Sequence, residues 1–224
     1  MKKEEKDNLS KNTQIEEFLS ARYEFRYNTL LHRAEYRPRG TGDYTAIDRY
    51  CINTLKRALD KEADVQTSPD NLYSIIESDF SPRVNPVQTY FHSLPILDAV
   101  EQEAISALAN CVSVANPEKW REYLTKWLVA VVANAMDDKQ CRNHTCLVLT
   151  GDQGKFKTTF LDLLCPPSLS DYRYTGKIYP QEKDVLSLIG QNLIINIDDQ
   201  LKALNKRDEN ELKNLITCPQ VKYR

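Results

Sequence analysis

The sequence predicts an α/β protein: a helical N-terminal part with a small β-hairpin, followed by parallel strands and helices around a glycine loop. Three observations favour this class. Aromatic and charged residues alternate over residues 22–27, the period of a half-buried strand. Apolar residues at helical spacing run through residues 117–138. Branched apolar runs at residues 144–151 and 193–197 are typical of buried parallel strands.

Composition narrows the class of protein further. The chain has 224 residues, 41% hydrophobic and 28% charged, as expected for a globular protein of one large or two small domains. The charged N-terminus lacks the apolar core of a signal peptide, and no apolar run approaches the ~20 residues that span a bilayer. We therefore expect a soluble, cytoplasmic protein without membrane contact, whose six cysteines are reduced thiols.

The first element along the chain is a short helix, followed by a hairpin. Thr13 and Glu16 fit a capping box, which predicts that the helix starts at Thr13. Alternation then predicts one strand at residues 22–27 and a second at residues 33–37, ending near Pro38.

Two helices complete a module that we place at residues 1–84. Residues 44–62 carry apolar side chains at helical spacing. Ser68, followed by Pro69, predicts an N-cap and the first position of a second helix. The prolines that follow this helix indicate a boundary between domains.

Five arginines lie among the aromatic residues of the hairpin: Arg22, Arg26, Arg33, Arg37 and Arg39. Arginines beside stacking rings can bind a nucleic-acid backbone. Because the net charge of the chain is −2, such binding requires a local basic patch of this kind. The same alternation also fits a two-stranded ribbon whose arginines only face solvent. Both interpretations stay open.

Residues 85–140 are predicted to be a helical lead-in to a core at residues 141–224. Asn116 and Pro117 fit an N-cap and first helical position. The helix that they begin carries one wide apolar stripe, expected to be core: Trp120, Tyr123, Leu124, Trp127, Leu128, Val131 and Ala135.

The segment LVLTGDQGKFKTTFLDLL, residues 147–164, reads as strand, glycine loop and helix. In this context a loop turns its amide N–H groups inward, and the helix N-terminus adds positive dipole, so a polyphosphate fits there. The pattern therefore predicts a nucleotide and Mg²⁺ as cofactors. Nine consecutive residues are the candidate nucleotide-binding set: Gly151, Asp152, Gln153, Gly154, Lys155, Phe156, Lys157, Thr158 and Thr159.

Lys157 and Thr158 carry the chemistry of this loop. The lysine would neutralise the terminal phosphates, and the hydroxyl would ligate Mg²⁺. Taking Lys155 as the phosphate lysine loses the metal ligand, because Phe156 follows it. Phe156 itself stands where the motif has glycine, and a residue with a Cβ fits there only with negative φ or with strain.

An acidic pair, Asp198 and Asp199, follows the second apolar run. In phosphate-loop enzymes the first carboxylate holds Mg²⁺ and the second orients the attacking water. We therefore assign Asp198 to the metal, and Asp199 with Lys157 to catalysis. The bland alternative is that the two loop glycines are turn residues and that the aspartates cap the next helix.

The order of several segments resembles the virulence-associated E family, primase–helicase ATPases of phages and mobile elements related to superfamily 3 helicases. The segments are NPVQTYFHSLPILD, KWLVAVVANAM, the glycine loop, NLIINIDDQLKAL and ELKNLITCPQVKYR, and they cover residues 85–224. The family's closing basic-aromatic stretch is matched by Lys213, Thr217, Lys222, Tyr223 and Arg224.

The resemblance implies a RecA-like or AAA+-like core that binds ATP–Mg²⁺ through Lys157 and Thr158, with Asp198 and Asp199 as the acidic pair. It also implies single-stranded or forked DNA as the substrate and a homo-oligomeric ring. Such cores need further strands, a sensor residue and an arginine finger. We therefore expect a truncated core that binds ATP without efficient hydrolysis on its own.

Two functions follow from these observations. The first is an ATP-dependent, helicase-type protein of DNA replication or of a mobile element. The alternative is a non-catalytic module with a degenerate loop, which binds DNA or a protein partner through the arginine hairpin.

Overall fold

The structure, a computed structural model, describes residues 10–96, 103–140, 142–182, 184–197 and 206–218. It is mixed α/β and 53% helical, so helices outweigh the small sheets. The chain divides into two compact units, Met1–Pro86 and Val87–Arg224. Within the described ranges, no helix has both the length and the hydropathy to cross a membrane.

The first unit combines a four-stranded sheet with three α-helices in its described part. In chain order its elements are α1 Lys11–Arg22, β1 Tyr23–Asn28, β2 Arg33–Pro38, β3 Thr45–Ala46, α2 Arg49–Ala58, α3 Pro69–Ile76 and β4 Arg83–Val84. The strand order is β3-β2-β1-β4. Strands β1 and β2 are antiparallel and pair Tyr23 with Pro38, which confirms the predicted hairpin and its end.

Side-chain caps fix where these helices begin. Ser68 caps α3 by accepting a hydrogen bond from the Asn71 amide at 3.1 Å, as predicted. Helix α1 begins earlier than predicted. Its N-cap is Ser10, whose Oγ accepts from the Thr13 amide at 3.2 Å, so the prediction of a start at Thr13 is wrong. The reason is that Ser10 has the same capping chemistry one turn upstream.

One continuous core holds the first unit together. Alternation along the hairpin turns its rings to one face, where Phe25 and Tyr36 stack at 6.2 Å. The helices cover this face with apolar side chains. The buried members are Ile15, Phe18, Leu19, Phe25, Ala34, Cys51, Ile52, Leu55, Leu59, Val65, Leu72, Ile75 and Ile76.

The second unit is mostly helical in its described part. Its elements are α4 Pro86–Ser93, α5 Ala104–Asn110, α6 Pro117–Ala135, α7 Lys157–Leu163, a 3₁₀ turn Pro167–Tyr172, β5 Arg173–Gly176, α8 Val185–Gln191, β6 Ile194–Ile197 and α9 Lys206–Thr217. Strands β5 and β6 form a two-stranded parallel sheet. The predicted buried strand at residues 193–197 is confirmed as β6.

Two predictions for this unit are corrected by the structure. Residues 144–150 form no regular element, so the strand predicted before the glycine loop is wrong. Leu147 and Leu149 are half-buried while Val148 is 52% exposed, so the alternation of a strand is present without a described neighbour to pair with. The stripe of α6 is fully buried only at Trp120 and Leu124, Leu128 packs half-buried against them, and Tyr123 is 57% exposed.

Candidate functional site

The glycine loop has the backbone that its sequence pattern requires. Gly151 and Gly154 have φ angles of 149° and 78°, in the region that favours glycine. A Cβ added at either position would meet no atom within 4 Å. Backbone conformation, and not lack of space, is therefore the reason for glycine at both positions.

Phe156 adopts the same left-handed region, with φ 55° and ψ 24°, immediately before α7. For a residue with a Cβ this conformation costs roughly 1–2 kcal/mol. Its ring is 78% exposed, so packing does not offset that cost within the described residues. The sequence left two conditions for a side chain at this position, a negative φ or strain, and Phe156 meets the second.

Lys157 folds back over the loop. Its Nζ donates to the main-chain oxygens of Gly151, at 3.1 Å, and Asp152, at 2.6 Å. The loop side chains around it, from Asp152 to Phe156, are exposed. The ammonium group is thus held at the open side of the loop by neutral acceptors.

Thr158 and Thr159 lie in the first turn of α7, where Thr158 is half-buried. The Thr158 carbonyl accepts a hydrogen bond from Asn196 Nδ2 at 3.2 Å. Strand β6 is therefore fastened directly to the helix that begins with Lys157.

Asn196 is the centre of a polar junction that the sequence did not lead us to expect. Besides Thr158, its Nδ2 donates to Asp162 Oδ1 at 2.8 Å. Thr175 Oγ1, on β5, donates to the same carboxylate oxygen at 2.6 Å. Arg173 Nη1 donates to the Asp162 carbonyl at 3.0 Å. The one feature of the sequence that could have indicated this junction was Asn196 itself, a polar residue within an otherwise apolar strand.

A small apolar cluster supports both ends of the loop. The indole Nε1 of Trp120 donates to the Ala109 carbonyl at 3.0 Å and joins α6 to α5. The Trp120 ring lies 6.2 Å from the ring of Phe160 on α7. Leu147 and Leu149, before the loop, pack on the same cluster. Helices α5 and α6, which precede the loop in the chain, thus pack against the segments on both sides of it.

The acidic pair and the closing basic-aromatic residues lie outside the described residues. Strand β6 ends at Ile197, directly before Asp198 and Asp199. Lys222, Tyr223 and Arg224 also fall outside, whereas Lys213 and Thr217 lie on α9. No group of three or more His, Cys, Asp or Glu side chains in the described ranges is arranged to hold a metal ion.

Glu35, on the polar face of the hairpin, accepts hydrogen bonds from two of the five candidate arginines. It is 2% exposed. Arg26 donates to Oε2 through Nε at 2.9 Å and through Nη2 at 2.7 Å. Arg33 Nε and Asn28 Nδ2 each donate to Oε1 at 2.9 Å. Burial raises the pKa of this carboxyl, but the hydrogen bonds from Asn28, Arg26 and Arg33 outweigh it, so the pKa is lowered.

The other three arginines also have partners within the first unit. Arg22 pairs with Glu62 at 2.9 Å, and Arg37 pairs with Glu24 at 2.6 Å. Arg39 donates to the main-chain oxygen of Ser20. The pKa of Glu24 is lowered, first by the hydrogen bond from Arg37. All five guanidinium groups therefore have protein acceptors.

Comparison with known families assigns the chain to a family. The family of virulence-associated protein E-like domains matches residues 97–224, more than half of the chain, including the glycine loop and the polar junction. Comparison with curated proteins finds no match. The family match falls within the residues 85–224 on which the sequence resemblance rests, and the chain belongs to the virulence-associated protein E-like domain family.

Proposed function

We propose that this chain contains the nucleotide site of a helicase-type ATPase that binds ATP–Mg²⁺ and acts on DNA in replication or in a mobile element. The observation that carries the proposal is the position of Lys157, whose ammonium group is held over the glycine loop by two main-chain oxygens. Membership of the virulence-associated protein E-like family supports it.

A polyphosphate suits this loop chemically. Phosphate oxygens are charged acceptors and form stronger hydrogen bonds with an ammonium group than neutral carbonyls do. They would therefore replace the Gly151 and Asp152 oxygens as partners of Lys157. The positive φ angles of Gly151 and Gly154 permit the turns that aim amide N–H groups at an anion.

We assign Mg²⁺ to the Thr158 hydroxyl and the Asp198 carboxylate, because Mg²⁺ prefers hard oxygen ligands. Asn196 touches the Thr158 carbonyl, and the chain advances at most about 7 Å over the two residues from Asn196 to Asp198. Bound Mg²⁺ would neutralise charge on the phosphate oxygens during transfer. Asp199 is assigned to orient the attacking water.

The wider architecture follows from the family resemblance. We propose that the parallel pair β5–β6, fastened to α7, belongs to a RecA-like or AAA+-like core. Single-stranded or forked DNA as the substrate and assembly into a homo-oligomeric ring belong to the same proposal.

The direct test compares Lys157→Ala with Lys119→Ala, an exposed lysine on α6 outside the loop. Nucleotide at a hundredfold excess over Kd should stabilise the wild type by about 2.7 kcal/mol. Lys119→Ala should keep this stabilisation and Lys157→Ala should lose it, as measured by thermal unfolding with and without ATP–Mg²⁺. Equal stabilisation of the wild type and Lys157→Ala would refute the site, as would none in either. ATP hydrolysis by the full-length protein should be lost with Lys157→Ala as well.

The strain at Phe156 favours a second candidate function. In this alternative the loop no longer binds nucleotide, and the chain binds DNA or a protein partner through the hairpin arginines. All five arginines have internal acceptors, so DNA would have to compete with Glu24, Glu35 and Glu62 for them. The alternative predicts no ATP-dependent stabilisation, together with salt-sensitive DNA binding. The slope of the logarithm of the DNA-binding constant against the logarithm of the salt concentration should decrease in magnitude by about 1 for each phosphate contact that a variant loses.

A further inference from the structure

The first unit has a polar cavity of about 690 Å³ that the proposed nucleotide site does not use. It lies where the first turns of α1 and α3 meet Lys56 of α2. Eight described residues line it, and none of them is acidic. We propose that this cavity binds a phosphate group of a ligand through the ammonium groups of Lys11 and Lys56. The inference is independent of the proposed function, which depends on the loop around Lys157.

Two lysines share this cavity without a counter-ion in the described part of the chain. Lys11 is exposed and Lys56 is half-buried, and neither belongs to an ion pair between described residues. The hairpin arginines of the same unit differ, because four of them are paired with carboxylates. Cations that share a cavity repel each other, so an anion that contacts both of them stabilises the arrangement.

The hydrogen bonds around the cavity use acceptors and leave donors. Asn71 Nδ2 donates to Asn12 Oδ1 and to Thr67 Oγ1, both at 3.1 Å. The Asn71 main-chain amide donates to Ser68 Oγ at 3.1 Å. These bonds do not use the Asn12 amide N–H groups or the hydrogens of the two hydroxyls, which can therefore donate to a ligand. Together with the lysines, these donors favour an anion over a cation.

The two helix ends at the cavity add to this attraction. Helices α1 and α3 have 12 and 8 residues, and the first N–H groups of a helix have no acceptor within it. Asp70, in the first turn of α3, does not line the cavity. The lysines remain the main source of attraction, because each carries a full charge and a helix end only about half of one.

A phosphate group suits these donors better than a carboxylate does. It carries three strong acceptor oxygens, so one group can contact both lysines and a neutral donor together. The volume of the cavity also falls within the roughly 300–1,000 Å³ of small-molecule sites, which is more than a lone phosphate fills. The ligand is therefore a phosphorylated molecule or a stretch of nucleic-acid backbone, and both offer the same phosphate chemistry.

The experiment compares Lys11→Met and Lys56→Met, each introduced into the full chain with Lys157→Ala so that the proposed nucleotide site contributes little to binding. Methionine keeps an apolar stem and removes the charge. Pyrophosphate is titrated by calorimetry, and a single-stranded oligothymidylate by fluorescence anisotropy. Each methionine variant should bind the same probe about tenfold more weakly than the parent, because it loses one hydrogen bond from a charged group.

Two controls separate the charge at the cavity from the fold and from the net charge of the chain. Lys61→Met removes an exposed lysine of the same unit that does not line the cavity, so its affinity should equal that of the parent. Lys56→Arg keeps the charge and should keep most of the affinity. Melting curves by circular dichroism should coincide across the series. Should Lys56→Met fail to fold, the exposed position of Lys11→Met still provides the test.

The two probes distinguish the source of the phosphate. If pyrophosphate affinity falls in both variants, the ligand is a phosphorylated small molecule. If strand affinity falls, and the slope of the logarithm of the binding constant against that of the salt concentration decreases in magnitude by about 0.7, the ligand is a nucleic acid. Either result supports the cavity. No binding of either probe by the parent, or unchanged binding in both variants, would overturn it, whether or not the loop binds nucleotide.

Discussion

The first unit packs thirteen buried residues into one cluster, whereas the cluster beneath the glycine loop has three. Exposed apolar side chains show the opposite distribution. Of the ten large hydrophobic residues exposed in the described ranges, nine lie in the second unit, Phe156 and Leu163 beside the loop among them. Ligand-binding loops belong to the less stable parts of proteins, because they must move. The small size of the cluster beneath the loop agrees with the placement of the candidate site there.

The hairpin arginines of the first unit and the loop lysine of the second differ in their partners. In the first unit, four of the hairpin arginines are paired with carboxylates, and Glu35 is saturated by donors. In the second unit, Lys157 contacts neutral main-chain oxygens. A polyanion gains more from a cation whose present partners are neutral than from one already neutralised. The comparison therefore favours the loop over the hairpin as the anion site.

The largest expected effect tests the difference in packing. Leu72, in the first unit, and Leu124, in the second, are both 0% exposed. Leu72→Ala should cost about 4 kcal/mol and Leu124→Ala about 2 kcal/mol, because the half-buried neighbours of Leu124 can relax into the cavity. Both tryptophans, Trp120 and Trp127, belong to the second unit, so their fluorescence in urea reports that unit, and circular dichroism reports both. Equal losses would show that the two cores are equally rigid.

A smaller effect is expected from the ion pairs of the hairpin. Glu35→Ala should destabilise the first unit by about 3 kcal/mol, because it leaves Arg26 and Arg33 without their buried partner. Glu24→Ala is the control and should cost clearly less, since both members of its ion pair with Arg37 are 32% exposed, whereas Glu35 is 2% exposed. Urea unfolding by circular dichroism measures both. Similar losses would mean that burial adds nothing to the Glu35 network.

Acidification tests the same carboxylate. The folded-state pKa of Glu35 is lowered from its ordinary value of 4.5. Its contribution to stability is therefore fully present above about pH 4.5 and is lost as the pH falls below that value through the folded-state pKa. Glu35→Gln should flatten this part of the pH dependence of the urea midpoint. An unchanged slope would assign acid sensitivity to other carboxylates.

Local patterns in the sequence predicted the local parts of this structure. The alternation of Tyr23 to Tyr27, the Ser68 and Asn116 caps and the apolar run of β6 were each sufficient, because the residues that cause these elements are adjacent in the chain. Ser10 was missed for an equally local reason, since two capping residues compete within one turn.

The sequence did not predict which residues far apart in the chain contact each other. The partners of the hairpin arginines lie up to 40 residues away, as Arg22 and Glu62 do, so composition alone made the arginines look free. The two acceptors of Asn196 lie 38 and 34 residues earlier in the chain. The segment at residues 144–150 has a strand's apolar pattern, but strand formation depends on a neighbour that no local pattern supplies. The loop was predicted as a motif, whereas the side chains that brace it were not.

The smallest expected effect concerns the backbone strain at Phe156, in the glycine loop of the second unit. Phe156→Ala keeps a Cβ in the left-handed region, and Phe156→Gly removes it. Relief of strain, about 1–2 kcal/mol, exceeds the entropy that glycine adds to the unfolded chain, about 0.5–1 kcal/mol. The Gly variant should therefore be more stable than the Ala variant by about 0.5–1 kcal/mol, as measured by tryptophan fluorescence in urea.

The pair of variants also tests why the turn exists. If the motif dictates the left-handed turn, removing an exposed ring leaves φ unchanged, and the stability difference between Ala and Gly appears. If the Ala variant is as stable as the Gly variant, the chain has left the left-handed region, and the ring itself holds the turn. ATP affinity then shows whether the Phe156 ring contributes to nucleotide binding. Unchanged affinity in Phe156→Gly would make it a tolerated substitution in a working loop, whereas a loss of more than about tenfold, or 1.4 kcal/mol, would show that it contributes to binding.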